Sequence, residues 1–245
     1  MRPYPRRPGP PTGQTGGVTT PFDYDANPER FRLATRVTRR HLTAPSLYEL
    51  LADALAELDP RRILDIGCGE GALRAALPAR LAARTVGLDA AATMLAAHPP
   101  PVVQADAAAL PFAAGAFDVA VAVNVLDHLP APTLAIAEAH RVLAAGGTLV
   151  AVTASRHDSP ELAAVWRPPP SSFDAQDGPA LVASVFGQAQ VERWDAPLVR
   201  LPDRDAVRDY LVARFVLPED AAAAAERVAA PVAITKRGAL IYARR

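Results

Sequence analysis

The chain has 245 residues, half of them apolar and 21% charged, which is enough to bury one sizeable core. No segment approaches the roughly 18 consecutive apolar residues of a membrane span. The 26 basic residues balance the 26 acidic ones, which argues against a global field that would gather nucleic acid or anionic lipid.

The cysteine and histidine residues argue against two further kinds of site, disulfide bonds and bound metal ions. Cys68 is the only cysteine, so neither a disulfide framework nor a thiolate metal cluster is expected. His41, His98 and His140 lack partners at metal-ligand spacing, so no metal site is predicted. The basic N-terminus is not followed by the apolar stretch of a secretory signal, and we therefore expect a cytoplasmic protein.

The N-terminal part divides into a tail and two helices. Residues 1–21 are rich in Pro, Gly, Thr and Arg and cannot bury enough apolar surface to offset their chain entropy, so we predict a disordered tail. The folded domain then spans residues 22–245. Within 27–58, Pro28 follows an asparagine at the expected N-cap, and leucines recur at helical spacing farther on. We expect these helices to cap the substrate side of the domain.

From residue 62 onward, apolar strand-like runs alternate with helical segments or short turns. This alternation predicts an α/β fold with a doubly wound, mostly parallel sheet that is covered on both faces. A helix is expected at 174–186. Two amphipathic helices are expected at about 203–228, where they form either a substrate wall or a dimer face. We therefore expect a monomer or a homodimer. The seven candidate strands cover residues 63–66, 85–88, 102–104, 117–123, 148–153, 189–194 and 233–242.

The alternation is interrupted at 154–174 by a polar, Pro-rich stretch. A long loop inside a compact domain is usually functional or disordered. Arg156, His157 and Asp158 follow the fifth strand, where they either recognise an acidic or hydroxylated substrate or form a solvated loop. Trp166 either lines a pocket or anchors the loop.

The strongest functional signal is the apolar run at 63–66 that ends in a glycine-rich turn. Gly67, Gly69 and Gly71 allow a tight strand-to-helix turn and a close approach of the backbone to a ligand. Asp89 closes the next apolar run and can accept hydrogen bonds from ribose hydroxyls. Spacing alone therefore predicts a nucleoside-cofactor site at the head of an α/β domain.

Four motifs in order, at 65–71, 87–95, 104–112 and 117–129 with 138–147, resemble those of the class I S-adenosylmethionine-dependent methyltransferases. The likeness is greatest to the small single-domain quinone and natural-product enzymes. The third glycine follows the second by two residues, a spacing more typical of adenosylmethionine binders than of NAD enzymes. The resemblance covers roughly residues 60–155 and implies a seven-stranded Rossmann-like sheet with an N-terminal helical cap. It also implies S-adenosyl-L-methionine as the cofactor.

The resemblance assigns a role to each motif. The glycine turn would hold the methionine portion of the cofactor against backbone amides. Asp89 would bind the ribose hydroxyls, and Met94 would lie near the adenine. Asp106 would accept a hydrogen bond from the adenine amino group, and the Ala107 amide would donate to a ring nitrogen.

Two further residues of the glycine turn carry alternatives. Asp65 either orients the cofactor or caps the following helix and bonds the turn, and these roles do not conflict. Cys68 is expected to fill space, because the backbone and not the thiol makes the contact. The cofactor set implied by the resemblance is Asp65, Gly67, Cys68, Gly69, Gly71, Asp89, Ala90, Met94, Asp106, Ala107 and Asn124.

Few residues are candidates for the chemistry itself. Methyl transfer from a sulfonium is an in-line displacement, so a proton acceptor is needed only for a poorly acidic nucleophile. His128, after the fourth strand, is a candidate general base, with packing or helix capping as the alternative. Asp127 either orients that imidazole or is solvated. The candidate substrate residues are Tyr24, Arg156, His157 and Trp166.

The sequence thus predicts an S-adenosylmethionine-dependent methyltransferase that acts on an oxygen, nitrogen or carbon atom of a small molecule. Two alternatives stay open: an inactive cofactor-binding accessory or regulatory protein, and an RNA methyltransferase that uses the arginine-rich tail. Methylation at C5 of cytosine or uracil is disfavoured because Cys68, the only thiol, lies in the glycine turn, whereas ribose and ring-nitrogen methylation stay open. Residues 124–127 also lack the Asn/Asp-Pro-Pro-aromatic run of the amino-group methyltransferases that act on bases.

Overall fold

The computed structural model describes residues 28–82 and 84–245. These form one seven-stranded sheet with the order β3-β2-β1-β4-β5-β7-β6, in which only β7 runs antiparallel to its neighbours. This confirms the predicted mostly parallel α/β sheet. The predicted tail at 1–21 and Tyr24 lie outside the described residues. The strands are β1 (Ile63–Ile66), β2 (Thr85–Asp89), β3 (Val102–Gln104), β4 (Phe117–Val123), β5 (Leu143–Ala154), β6 (Gln190–Leu201) and β7 (Val232–Arg244).

The helices begin and end where the local sequence favours it. In α2, the Ser46 hydroxyl accepts a hydrogen bond from the Glu49 amide, and the Glu49 carboxylate accepts one from the Ser46 amide, which together form a capping box. The helices are α1 (Pro28–His41), α2 (Leu47–Leu58), α3 (Ala72–Ala76), α4 (Ala79–Ala82), α5 (Ala92–Leu95), α6 (Pro132–Val142), α7 (Gly178–Phe186), α8 (Arg204–Val212) and α9 (Pro218–Ala225).

Both faces of the sheet are covered, and successive side chains of β4 point to opposite faces. Val119 and Val121 point toward a core that α2, α3 and α4 complete, whereas Ala120 and Ala122 point toward the core under α6 and α7. The small alanines allow α6 to approach the sheet closely. Each fully buried Leu, Ile or Val side chain stabilises this arrangement by about 1.5–3 kcal/mol.

A cap rises from the carboxyl edge of the sheet. Ala154, the last residue of β5, pairs with Gly238, and β6 and β7 continue past this point as a two-stranded ribbon. Helices α8 and α9 lie between the two strands in sequence, and α1 joins them. The ribbon and the three helices share a second core that includes Val37, Val199, Leu201, Val207, Tyr210, Leu211, Ala221, Ala225 and Ile234.

The cap differs from the sequence-based expectation in its helices. We expected all of 27–58 on the substrate side, but only α1 joins the cap. Helix α2 packs on the face of the sheet, because Leu51 and Leu55 are buried against Ile63 and Val121. The hydrophobic stripe of an amphipathic helix specifies that it is buried, not which surface covers it.

The long loop that follows β5 is held in place by charged side chains. Asp158 is buried and accepts hydrogen bonds from the Lys236 ammonium, the Ser159 hydroxyl and the Arg237 amide. At the other end, the Arg156 guanidinium binds both carboxylate oxygens of Asp174 at 2.6 and 3.0 Å. These contacts join the loop to β7 and to the start of α7.

Helix α7 begins four residues later than expected. The Asp174 carboxylate accepts hydrogen bonds from the amides of Gln176 and Asp177, at 2.9 and 3.0 Å. The Asp174 carbonyl accepts one from the Gly178 amide at 2.8 Å. This forms a separate turn, because Pro179 has no N–H to continue the hydrogen-bond ladder from it into the helix. The expected helix at 174–186 therefore starts at Gly178. Strand β6 is also longer than the expected 189–194, because its second half pairs with β7 in the cap ribbon.

Candidate cofactor and acceptor site

The candidate site lies where the strand order of the sheet reverses. From β1 the chain moves outward through β2 to β3, and it then returns to place β4 on the other side of β1. The loops that follow β1 and β4 therefore diverge and leave a crevice at the carboxyl edge, the usual ligand position in open α/β sheets. The glycine turn and residues 124–128 border this crevice.

The glycine turn is tightly packed on both sides. Gly67 has a φ of +69°, and a Cβ at this position would lie only 2.3 Å from Cγ2 of Val125, after β4. The amides of Gly67 and Cys68 both donate to the Leu88 carbonyl, at 2.7 and 3.0 Å. The turn is thus held between the ends of β2 and β4, and only glycine fits at residue 67.

Asp89 connects the turn to the end of β2. Its Oδ2 accepts a hydrogen bond from the Gly69 amide at 2.8 Å, and its Oδ1 accepts one from the Ala91 amide at 2.9 Å. Each carboxylate oxygen retains a second lone pair. The carboxylate is therefore fixed in orientation and can accept further hydrogen bonds, as a ribose diol requires.

Asp65 carries a buried carboxyl group that forms no ion pair with the described residues. Its side chain is 2% exposed, and Oδ2 has no hydrogen-bond partner among the described residues. Burial, together with the nearby negative charge of Asp89, raises the pKa of Asp65 to about 8. Tyr48 lies close by on α2, and burial raises the pKa of its phenol to about 12. A buried acceptor of this kind suits a cationic ligand group.

Helix α1 covers the glycine turn. The Arg32 guanidinium binds Glu70 at 2.7 Å, and the Phe31 ring comes within 3.7 Å of the position that a Cβ of Gly69 would take. Cε of the buried Met94 lies 3.4 Å from the same position. Neither Phe31 nor Arg32 is predicted as a site residue from the sequence. The signal that could have found them is an aromatic and a basic residue at the start of the helix preceding the turn.

Cys68 and His98 fill the space under the turn. Burial raises the pKa of the Cys68 thiol, so the thiol stays protonated and is a poor nucleophile. The His98 ring lies under Gly71 and Gly87, and its Nδ1 is 2.6 Å from the Pro99 carbonyl. Burial lowers the pKa of His98, which favours the neutral ring. Sequence analysis examined His98 only as a metal ligand.

The loops after β2, β3 and β4 supply the remaining cofactor candidates. Ala90 is exposed, and its carbonyl accepts a hydrogen bond from the Gln104 side chain at 3.1 Å. Asp106 is exposed and accepts a hydrogen bond from the Ala108 amide at 2.8 Å, whereas Ala107 is buried. Asn124 is exposed at the end of β4 with a φ of +49°. All of these positions lie on the carboxyl side of the sheet.

Asp127 and His128 form a short 3-10 turn beside the crevice. His128 Nδ1 and Asp127 Oδ2 are 4.0 Å apart, which is beyond hydrogen-bond distance. Burial raises the pKa of Asp127, and the His128 charge opposes this shift. Within the described chain, Oδ1 of Asp127 has no hydrogen-bond partner.

The candidate substrate residues on the loop after β5 occupy different surroundings. Arg156 is bound by Asp174 and Asp177, so its guanidinium serves the loop itself. His157 is exposed. Trp166 packs against the cap core, and the Arg214 guanidinium lies 5.9 Å from the centre of its ring. Of the two roles expected for Trp166, this packing corresponds to anchoring the loop.

Within the described residues, no group of three or more His, Cys, Asp or Glu side chains is arranged to hold a metal ion. Of the described helices, none is long and apolar enough to cross a membrane.

Parts of this chain are similar to known proteins. Residues 64–151 match the family described as a methyltransferase domain. A malonyl-[acyl-carrier protein] O-methyltransferase from Legionella pneumophila is 33% identical over 119 residues, which are 45% of this chain and 42% of that protein. The chain thus spans less than half the length of this curated relative.

Solved structures share the fold at low sequence identity. A methyltransferase from Thermotoga maritima, described as S-adenosylmethionine-dependent and as a possible histamine N-methyltransferase, superposes with a TM-score of 0.57. It is 17% identical, and the match covers 90% of this chain and 97% of that one. The [4+2]-cyclase SpnF has a TM-score of 0.56 at 20% identity, with 91% and 94% covered. Its named reaction shows that the fold alone does not specify the chemistry.

The packing of Gly67 can be tested by substitution. Gly67→Ala combines left-handed backbone strain with a clash against Val125, and we expect a loss of about 2–4 kcal/mol in unfolding free energy. Gly146→Ala is the matched control, because Gly146 also has a positive φ but has nothing within 4 Å of its Cβ position. The control should lose only about 1 kcal/mol in urea unfolding. Equal losses in the two variants would contradict the clash.

The buried carboxyl of Asp65 predicts a pH dependence of stability. The unfolded chain releases this proton near its ordinary pKa of 3.8, whereas the folded protein holds it to about pH 8. The folded state therefore loses stability as the pH rises through this window, by up to about 1.4 kcal/mol per unit. Asp65→Asn should remove this slope and be the more stable protein at pH 8. Parallel urea-unfolding profiles for wild type and variant would contradict the prediction.

Proposed function

This chain carries a class I S-adenosylmethionine-dependent methyltransferase domain, and we propose that it transfers the methyl group of that cofactor to an oxygen, nitrogen or carbon atom of a small-molecule acceptor. The observation that carries the proposal is the pair of carboxylates at the strand reversal. Asp89 is oriented by two amides, and Asp65 is buried without a partner for Oδ2 among the described residues.

The residues of the crevice fit S-adenosylmethionine. When bound, this cofactor supplies an electrophilic methyl group on a sulfonium. Asp65 would bind the ammonium of its amino-acid end, which supplies the positive charge that this buried carboxyl lacks. Asp89 would accept from the ribose hydroxyls, and Asp106 from the adenine amino group.

Positioning and the exclusion of water are the main contributions of this chain to the reaction. The carboxylate of Asp89 and the amides of the glycine turn restrict the orientation of the donor. Helix α1 lies over the turn through Phe31 and Arg32, so the turn is screened from solvent on that side. The cap closes the carboxyl edge on the acceptor side.

We place His128 at the acceptor side as the candidate general base. It lies on the 3-10 turn that follows β4, and its side chain is 22% exposed. A partly exposed imidazole at this edge can take a proton from an acceptor hydroxyl. Asp127 is too distant to fix the imidazole by a hydrogen bond in this conformation, so its proposed role is electrostatic.

Two alternatives rest on specific comparisons. The Legionella relative acts on an acyl-carrier protein substrate, which favours a carboxylate acceptor held on a carrier as a second candidate. The cyclase shares the fold while its named reaction is not methyl transfer, which keeps a binding role without transferase activity as the rival from another class. Methyl incorporation into any acceptor would eliminate that rival.

The cofactor site is tested by titration with S-adenosylhomocysteine in a calorimeter. Asp89→Ala removes the acceptor of two amide hydrogen bonds and of the ribose bonds, so we expect affinity at least about a hundredfold weaker than wild type. Asp220→Ala, on the exposed surface of α9, should bind as wild type does. Absence of binding to wild type, or equal affinity of the two variants, would overturn the proposed site.

The role of His128 is tested by single-turnover methylation of an acceptor found by labelled-methyl screening. If His128 is the base, His128→Ala should slow methyl transfer about a hundredfold without changing S-adenosylhomocysteine affinity, and His128→Gln should not restore the rate. Asp220→Ala, on the exposed surface of α9, is the control. Recovery of the rate by His128→Gln would indicate a packing role instead.

A further inference from the structure

A groove of about 430 Å³ runs along the outer side of α1 and begins at the glycine turn. Its described lining consists of Glu70, at the turn, and residues of α1. Four of those residues are arginines: Arg32, Arg36, Arg39 and Arg40. None of the contacts assigned above to the cofactor or to the general base involves the last three.

The two faces of α1 explain why the arginines lie together. Leu33, Ala34 and Val37 pack into the cap core, so this face is fixed toward the protein. The arginines are spaced at i, i+4, i+7 and i+8 and lie on the opposite face. Their grouping is therefore a consequence of how α1 docks on the cap.

One arginine of the groove forms ion pairs with carboxylates, and the other three are exposed. Arg32 binds both Glu29 and Glu70, so its positive charge is already paired at the cofactor end of the groove. Within residues 28–82 and 84–245, neither Arg36, Arg39 nor Arg40 forms an ion pair within 4.0 Å, and all three are exposed. Hydrogen bonds with Ser46 lower the pKa of Glu49, and the positive charge of Arg39 acts in the same direction.

This grouping is unusual for the chain, whose formal net charge is zero. Elsewhere in the described structure, many arginines bind carboxylates, namely Arg62, Arg80, Arg84, Arg141, Arg156, Arg204, Arg208 and Arg237. Three guanidinium groups without a carboxylate within 4.0 Å among the described residues, in one concave site, form a local positive field.

We propose that this groove binds a phosphate group of the acceptor, an assignment that rests on the proposed methyl transfer. Planar guanidinium groups bind phosphate oxygens in pairs, and the Thr35 hydroxyl in the same lining is a further donor. Phe31 contributes to this groove and also lies beside Gly69, so a phosphate held here belongs to a molecule whose other end reaches the cofactor turn.

The size of the groove favours a small phosphate ester over RNA. A volume of about 430 Å³ holds one or two phosphate groups and a few carbon atoms. RNA binding without sequence preference uses a longer basic track and several aromatic side chains on which bases stack. Phe31 is the single aromatic residue in the described lining.

Calorimetry with inorganic pyrophosphate at 150 mM salt tests the groove. Wild type should bind saturably, and the double variant Arg36→Gln/Arg40→Gln should bind at least tenfold more weakly. The double variant Arg61→Gln/Arg244→Gln is the matched control. It removes two exposed arginines at the opposite edge of the sheet, next to the starts of β1 and β5. The control should retain wild-type affinity.

Several outcomes would overturn the assignment. One is that wild type does not bind pyrophosphate saturably, or that the control variant loses as much affinity as the groove variant. Another is that succinate binds as tightly as pyrophosphate, which would indicate a site for anions in general. A third is that a 20-nucleotide RNA binds more tightly than pyrophosphate and loses this binding in the groove variant. Displacement of pyrophosphate by ribose 5-phosphate or by phosphopantetheine supports the assignment and identifies a free or a carrier-borne source. Displacement by neither would overturn a phosphate-bearing acceptor.

Titration with S-adenosylhomocysteine separates the two proposals. The groove variant should bind S-adenosylhomocysteine as wild type does, because Arg36 and Arg40 make none of the contacts assigned to the cofactor. If pyrophosphate binds and S-adenosylhomocysteine does not, methyl transfer fails and the anion site stands. If S-adenosylhomocysteine alone binds, the groove assignment fails and the cofactor site stands.

Discussion

The hydrogen bonds between the Asp89 carboxylate and the amides of Gly69 and Ala91 are the constraint on which the site depends. They tie the loop after β1 to the loop after β2, while Gly67 and Cys68 donate to the Leu88 carbonyl from the same turn. Because the turn is also packed against Val125, the ends of β2 and β4 are held on either side of it. The crevice between these loops is therefore preorganised by the backbone.

This arrangement has an electrostatic cost that a cationic ligand would offset. Burial disfavours ionisation of Asp65 and raises its pKa, and the negative charge of Asp89 acts next in the same direction. For the stability of the fold alone, an apolar residue would be favourable at the third position of β1, because the other residues of this strand are fully buried. A carboxyl at this position is understandable as a binding group, since functional groups commonly occupy sites of local instability.

The cap depends on a second core that is distinct from the cores of the sheet. The β6–β7 ribbon, α1, α8 and α9 bury a shared set of apolar side chains above the carboxyl edge. The buried Asp158, with Lys236 as its cationic partner, fixes the base of this cap to the loop after β5. Helix α1 belongs to the cap through one face, and through the other it borders both the glycine turn and the arginine groove.

The sequence by itself determined the parallel sheet, its seven strands and the glycine turn with Asp89, because strand periodicity and glycine spacing are local properties of the chain. It could not show that α1 joins the cap while α2 packs on the sheet, since an amphipathic stripe does not identify its partner. Nor could it show that Arg156 is bound by Asp174 and Asp177, or that Arg36, Arg39 and Arg40 line one groove. Those outcomes depend on contacts between residues distant in sequence, which exist only after the elements have packed.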